Sequence, residues 1–170
     1  VVLRIFTLVA KLGLDTFSIR FIASFAKQGK WNSIELFRRK ILGLLIITSI
    51  ISSILMHFLS GIIADLININ AEYIRLISFF VLPMVFFMLH YQSLRGLKRI
   101  AEFSFFYRMS QATFSIASLF IISAFITSNN VPIYAYLTSL CIVSSLAFIT
   151  YKYWFSKKEK LASYEVIENL

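Results

Sequence analysis

At 170 residues, 59% of them hydrophobic, and with a mean hydropathy of +0.80, the chain is too apolar for a soluble domain. Apolar runs of about twenty residues recur, each long enough to cross the ~30 Å hydrocarbon core of a bilayer, and their number excludes a single anchor or an interfacial helix. The net charge of +9 does not imply a nucleic-acid partner, because Lys and Arg are concentrated in short connectors between the apolar runs. There they set membrane orientation rather than bind phosphodiesters.

The expected fold class is therefore all-α, a polytopic transmembrane bundle of about five spans. They fall near residues 1–26, 41–64, 73–92, 103–127 and 132–155, and a charged cytoplasmic tail occupies 156–170. No Gly/Ser-rich or Pro-rich linker divides the chain. The lone Cys141 lies inside an apolar run, which leaves no disulfide framework or cysteine metal site and reads as a small buried apolar residue. The chain opens Val1-Val2 with no basic region before a short apolar core. A cleavable signal peptide is not expected from that pattern, whereas an N-terminal portion ahead of Val1 is.

The first span is unusual because it carries Arg4, Lys11, Asp15 and Arg20. At ~100° per residue, Arg4, Thr7, Lys11, Asp15 and Ser18 share one side of a helix and Arg20 lies nearly opposite. A charge at mid-bilayer costs roughly 2.5–3.5 kcal/mol on insertion scales, so such residues face a bundle interior or a wet cavity. Val2, Ile5, Phe6, Val9 and Phe17 form the apolar face toward lipid or other helices. For Lys11 and Asp15 two readings stand: lining of a path, or pairing that holds helices together. Arg4 and Arg20 also admit snorkelling toward the membrane ends.

Residues 27–40, KQGKWNSIELFRRK, form a basic connector of amphipathic character. Trp31, Ile34, Leu36 and Phe37 suit the interface, and Lys30, Arg38, Arg39 and Lys40 suit headgroups. The second span carries Ser49, Ser52, Ser53, Met56, His57 and Ser60 at three- and four-residue steps, a pattern that favours close helix packing. A short polar turn follows at 65–72. The third span, from Tyr73 to about Gln92, has Pro83 near its middle, which predicts a kink tolerated where neighbours satisfy the freed carbonyl. His90, Tyr91 and Gln92 read as interfacial residues at its end.

In the next connector, SLRGLKRIAE (93–102), Gly96 is expected to permit a tight turn. Ser104, Arg108, Gln111, Ser115 and Ser118 give the fourth span a polar face. Arg108 there can line a path or snorkel to the basic loop. Pro132 suits the first turn of the last span, and Tyr151, Tyr153 and Trp154 read as an aromatic belt. The connectors 27–40, 93–102 and 152–160 hold five, three and four Lys/Arg, against Arg75 alone on the other side, so the basic group is predicted to be cytoplasmic.

LGLDTFSIRFIASFAKQGKW (Leu12–Trp31) resembles the motif at the cytoplasmic end of the second helix in bacterial polysaccharide flippases. These belong to the multidrug/oligosaccharidyl-lipid/polysaccharide exporter superfamily. LRGLKR (Leu94–Arg99) is similar to the turn after that family's fourth helix. The resemblance places Gly13, Leu14, Asp15, Thr16, Arg20, Leu94, Arg95 and Gly96 in family motifs. It implies a two-lobed fold of twelve to fourteen helices with a central cavity, of which this chain would supply helices two to six, its tail leading toward a second lobe.

The cargo the resemblance implies is an oligosaccharide on undecaprenyl pyrophosphate, flipped across the bacterial inner membrane for polysaccharide or O-antigen export. Membrane lipid is an expected partner and other polysaccharide assembly proteins are candidate ones. No cofactor, metal or catalytic residue is implied. Arg4, Lys11, Asp15, Arg108 and Gln111 are the candidate cargo-lining residues, and of these Arg4 and Lys11 match no family motif and rest on their membrane position alone. A cation-coupled multidrug exporter of the same superfamily is the alternative within transport, disfavoured because Asp15 is the one mid-membrane acid. A non-transporting scaffold subunit is the alternative outside it. An enzyme is not expected, since the external connectors 65–72 and 128–131 are too short for a catalytic site.

Overall fold

The computed structural model describes residues 1–127 and 130–168, without the side chains of Asp15 and of residues 161–168. Among the described residues all regular structure is helical: α1 (Val2–Lys11), α2 (Leu14–Lys27), α3 (Trp31–Phe58), α4 (Ser60–Ile67), α5 (Ala71–Ser78), α6 (Val81–Gly96), α7 (Ile100–Ser104), a π-helical turn (Phe105–Ser110), α8 (Gln111–Phe125) and α9 (Val131–Glu168). Three stretches are long and apolar enough to cross a membrane: Trp31–Phe58, Ile100–Phe125 and Val131–Lys160. The α5–α6 pair makes a fourth if its two arms, bent by 48°, act as one span. The molecule is thus an all-helical membrane protein with three to four candidate spans.

The expected first span is not one helix. Leu12 (φ 48°) and Gly13 (φ 75°) both lie in the left-handed region, and Leu12 N–H turns back to the Val9 carbonyl at 3.2 Å. Two consecutive left-handed residues cannot continue a right-handed helix, so α2 restarts at Leu14. Both halves still pack on α3 and α6. Their outer face is the expected apolar one, with Ile5, Val9 and Phe17 all more than half exposed.

Helix α3 starts at Trp31, so the basic connector is largely its first ten residues and the turn shrinks to 28–30. Ile34 is fully buried and Arg39 pairs with Glu35 at 2.8 Å along the exposed face. The serine stripe of α3 is the seam of the bundle. Ser52 Oγ donates to the Phe6 carbonyl of α1 at 2.9 Å, and Ser53 Oγ donates to the Ser78 carbonyl of α5 at 2.7 Å. Ser60 accepts from Arg75 Nε at 3.2 Å.

Pro83 acts as expected, one turn upstream. It occupies the first turn of α6, where its missing N–H costs nothing, and the chain bends at Phe79–Phe80. Ser53 covers the last carbonyl of α5, and Ser144 Oγ donates to the Pro83 carbonyl at 3.3 Å. The turn before α5 is capped by Asn70, whose side chain accepts from Glu72 N–H at 2.9 Å.

Four expectations change. Gly96 is not the turn residue: it ends α6, and the left-handed position is Lys98 (φ 59°). There Arg99 N–H reaches the Leu94 carbonyl at 2.9 Å and Lys98 N–H the Arg95 carbonyl at 3.0 Å, the paired bonds of a Schellman ending. His90 and Tyr151 are core residues, 2% and 1% exposed, rather than interfacial ones, while Cys141 is exposed. Helix α9 continues past Phe155 through Glu168, so the tail carries on the last span's helix. The expected turn at 128–131 lies partly outside the described residues.

The reason for glycine at 96 is packing. A Cβ there would meet Ile22 Cβ and Cγ2 of α2 at 3.0 Å and the Ile19 carbonyl at 3.3 Å. Gly96→Val is expected to lower stability by about 1–3 kcal/mol, the usual cost of overpacking. Adding Ile22→Ala should recover part of that loss, because the two sites are in contact. Thermal unfolding in detergent of the two single variants and the double variant measures both effects.

Candidate functional site

The polar stripe of α1 and α2 turns inward. Thr7, Lys11 and Ser18 are 0%, 7% and 1% exposed. Thr7 and Ser18 each donate to the carbonyl four residues back at 2.6 Å, and Lys11 has an interaction partner. Arg4, on the same stripe, is exposed. The side chain of Asp15 lies outside the described residues.

The depth of this stripe follows from Ser52. It sits eleven residues beyond Ile41, where the charged start of α3 gives way to apolar sequence. At 1.5 Å per residue that is ~16 Å into a ~30 Å core. The Phe6 carbonyl it binds is therefore beside the middle of the apolar stretch of α3, and Arg4 is two residues away along α1.

The polar face of the fourth span meets α9. Gln111 Nε2 donates to Ser139 Oγ at 3.0 Å, and the Ser115 and Ser139 hydroxyls are 2.8 Å apart. Ser139 Oγ in turn donates to the Tyr136 carbonyl at 2.7 Å. Its hydroxyl is then saturated, with one bond donated and two accepted, while Gln111 Oε1 is buried without a hydrogen-bond partner. Gln111, Ser115 and Ser139 thus form one polar seam between α8 and α9.

Arg108 does not join that seam. The π-turn at Phe105–Ser110 winds more residues per turn, which shifts the phase between Arg108 and Gln111 and leaves Arg108 exposed. Tyr136 and Ser139 were not singled out from the sequence. Their helix carries serines and threonines on several faces, so no single stripe marks them.

The arginines divide into two groups. At the basic end, Arg38 lies over the Tyr151 ring at 4.8 Å, Arg95 over Phe103 at 5.5 Å and Arg99 over Trp154 at 3.3 Å. Arg99 also pairs with Glu102. Among the described residues, Arg4, Arg20 and Arg108 have neither a carboxylate nor a ring partner, and all three are exposed on apolar helices.

The residues that carry the family resemblance also meet. Gly13 caps α2 at φ 75°, Leu14 is half-buried, and Thr16 and Arg20 are exposed. Leu94 is fully buried, and Gly96 receives Ile22 of α2. Beside that contact is a cavity of 620 Å³ lined by Ile19, Gln92, Arg95, Lys98, Ile100, Phe103 and Tyr107. It combines two cations with the stacked Phe103–Tyr107 rings, 5.6 Å apart, and with Gln92 Oε1, buried and without a hydrogen-bond partner. Cations, an aromatic face and a free acceptor can hold an anionic, hydroxyl-bearing headgroup.

Among the described residues no group of three His, Cys, Asp or Glu side chains could hold a metal ion. No family model matches the chain, and no curated protein or solved structure shows significant similarity to it.

A double-mutant cycle tests the seam. Gln111→Ala and Ser139→Ala are each expected to destabilise the protein modestly, with a coupling of about 0.6 kcal/mol, typical of interhelical hydrogen bonds in membranes. Unfolding equilibria in detergent or bicelles give that value directly.

Proposed function

We propose that this chain is part of a membrane transporter that flips an undecaprenyl-pyrophosphate-linked oligosaccharide across the bacterial inner membrane, with its basic end cytoplasmic. The observation that carries this reading is Arg4, exposed on an apolar helix and without a carboxylate or ring partner among the described residues. An arginine facing lipid there is costly, and one facing a wet cavity is suited to a pyrophosphate crossing between leaflets.

The α8–α9 seam of Gln111, Ser115 and Ser139 offers further polar groups, and exposed Arg108 adds a second cation. The cavity at Arg95 and Lys98 is a loading position for the headgroup on the basic side. In this reading α1 and α2 form a fifth, broken crossing, interrupted at the Gly13-Leu14-Asp15-Thr16 motif. Discontinuous helices are a recurrent feature of transporter binding paths. The cavity's far wall would come from a second lobe.

The test is surface polysaccharide export by cells carrying Arg4→Leu, or Lys11→Ala with Asp15→Ala. Loss of one charge-assisted contact of about 1.5–3 kcal/mol corresponds to roughly a ten- to hundredfold fall in export, with the amount of protein in the membrane unchanged. Wild-type export by both variants would overturn the lining role. Loss of the protein from the membrane would instead assign these residues to folding.

A further inference from the structure

A second cavity of 430 Å³ opens between α3, α6 and α9, away from the polar seam. Leu42, Leu82, Pro83, Phe86 and Phe148 give it apolar walls, and Cys141, Ser144 and Ser145 edge it along α9. Cys141, Ser145 and Phe148 are exposed, so the groove opens at the outer surface of the bundle.

His90 lines this groove and is 2% exposed. Its Nδ1 is 2.6 Å from the Phe86 carbonyl. A carbonyl only accepts, so Nδ1 carries the proton, and the neutral ring presents Nε2 as a lone-pair acceptor. Nε2 is buried and has no hydrogen-bond partner. The ring is held in place by Phe86, Phe148 and Tyr151, with centroids 6.1, 5.1 and 6.0 Å away. A buried acceptor without a donor is destabilising, and the residue that carries it lines one end of the trough.

The groove has a direction. His90 lies nearest the basic α6–α7 turn, and Leu82 and Pro83 lie eight and seven residues deeper along α6, ~12 Å at the helical rise. Ser144, on the wall, is already committed to the Pro83 carbonyl. The polar end of an occupant therefore sits at His90 and its apolar part runs toward the bilayer centre.

We infer that this groove binds a single-chain amphiphile whose hydroxyl donates to His90 Nε2 and whose hydrocarbon chain lies along α6 and α9 toward Pro83. The ligand class is a hydroxyl-bearing lipid of the leaflet on the basic side. A phosphate or carboxylate anion does not fit, because the neutral imidazole offers it no donor and the Ser144 and Ser145 hydroxyls already donate to the Pro83 and Cys141 carbonyls. This site is separate from the proposed transport path and does not depend on it.

Cys141 provides a reporter, being the one cysteine in the chain. The test is the rate of Cys141 alkylation by N-ethylmaleimide in lauryldimethylamine oxide, a detergent without hydroxyls, with increasing 1-dodecanol or dodecyl methyl ether. The alcohol is expected to protect Cys141 with an apparent Kd about five- to tenfold lower than that of the ether, the worth of one neutral hydrogen bond. His90→Phe should abolish that difference. In wild-type protein labelled with ¹⁵N-histidine, the His90 Nε2 resonance should shift with the alcohol and stay in place with the ether. Equal protection by both ligands, no protection by either, or an unmoved Nε2 resonance would overturn the inference.

Discussion

A carbonyl freed inside an apolar bundle has to find a donor within the protein, and at the end of α5 the Ser53 hydroxyl of a neighbouring helix supplies one. Helices α5 and α6 are separated by a bend near mid-membrane, where water is absent and an unpaired backbone group is costly. Ser53 and Ser144 bind carbonyls on either side of that bend, and Ser52 ties α1 to α3 through the Phe6 carbonyl. The apolar surfaces on these helices do not discriminate neighbour from lipid, so such bonds and the close contact at Gly96 fix which helices adjoin.

The same constraint explains which parts of the fold were legible in the sequence. Apolar length identified α3, the Ile100–Phe125 stretch and α9, and the proline at 83 located the bend to within one turn. The small-residue spacing from Ser49 to Ser60 correctly pointed to close packing. The break at Leu12–Gly13 was hidden because its signal is a single glycine in a run that is helical and periodic on both sides. Gly96 was assigned to the turn because glycine is the usual left-handed residue, yet Lys98 takes that position. Ile22 alone explains the glycine, and a contact between residues 74 positions apart leaves no local trace.

The candidate site was legible in kind more than in arrangement. Arg4 and Lys11 were marked by charge on an apolar helix, and Gln111 by its stripe. What the sequence could not convey was that Lys11 is packed inward while Arg4 is exposed, or that Gln111 is joined to α9 through Ser139. Arg108 fell out of register because a π-turn leaves no distinct periodicity. His90 looked interfacial from its place near the end of an apolar run, but α9 crosses over it and buries it against Tyr151.

The contrast among the arginines bears on what the unpaired ones are for. Arg38, Arg95 and Arg99 lie over aromatic rings, and Arg99 has Glu102 as well. Lys158 Nζ donates to the Leu97 carbonyl at 2.6 Å, adding a hydrogen bond from α9 to the α6–α7 turn. Cations on the basic side thus clamp the long α9 to the rest of the bundle. Arg4 does not: it is exposed on an apolar helix and has neither a carboxylate nor a ring partner among the described residues. Packing would be served better at that position by leucine, which crosses a bilayer at no charge penalty. An exposed arginine on an apolar helix, without such a partner among the described residues, is understandable if its partner is an anionic cargo or a facing lobe. Of those two, only the first requires the site to remain open to water.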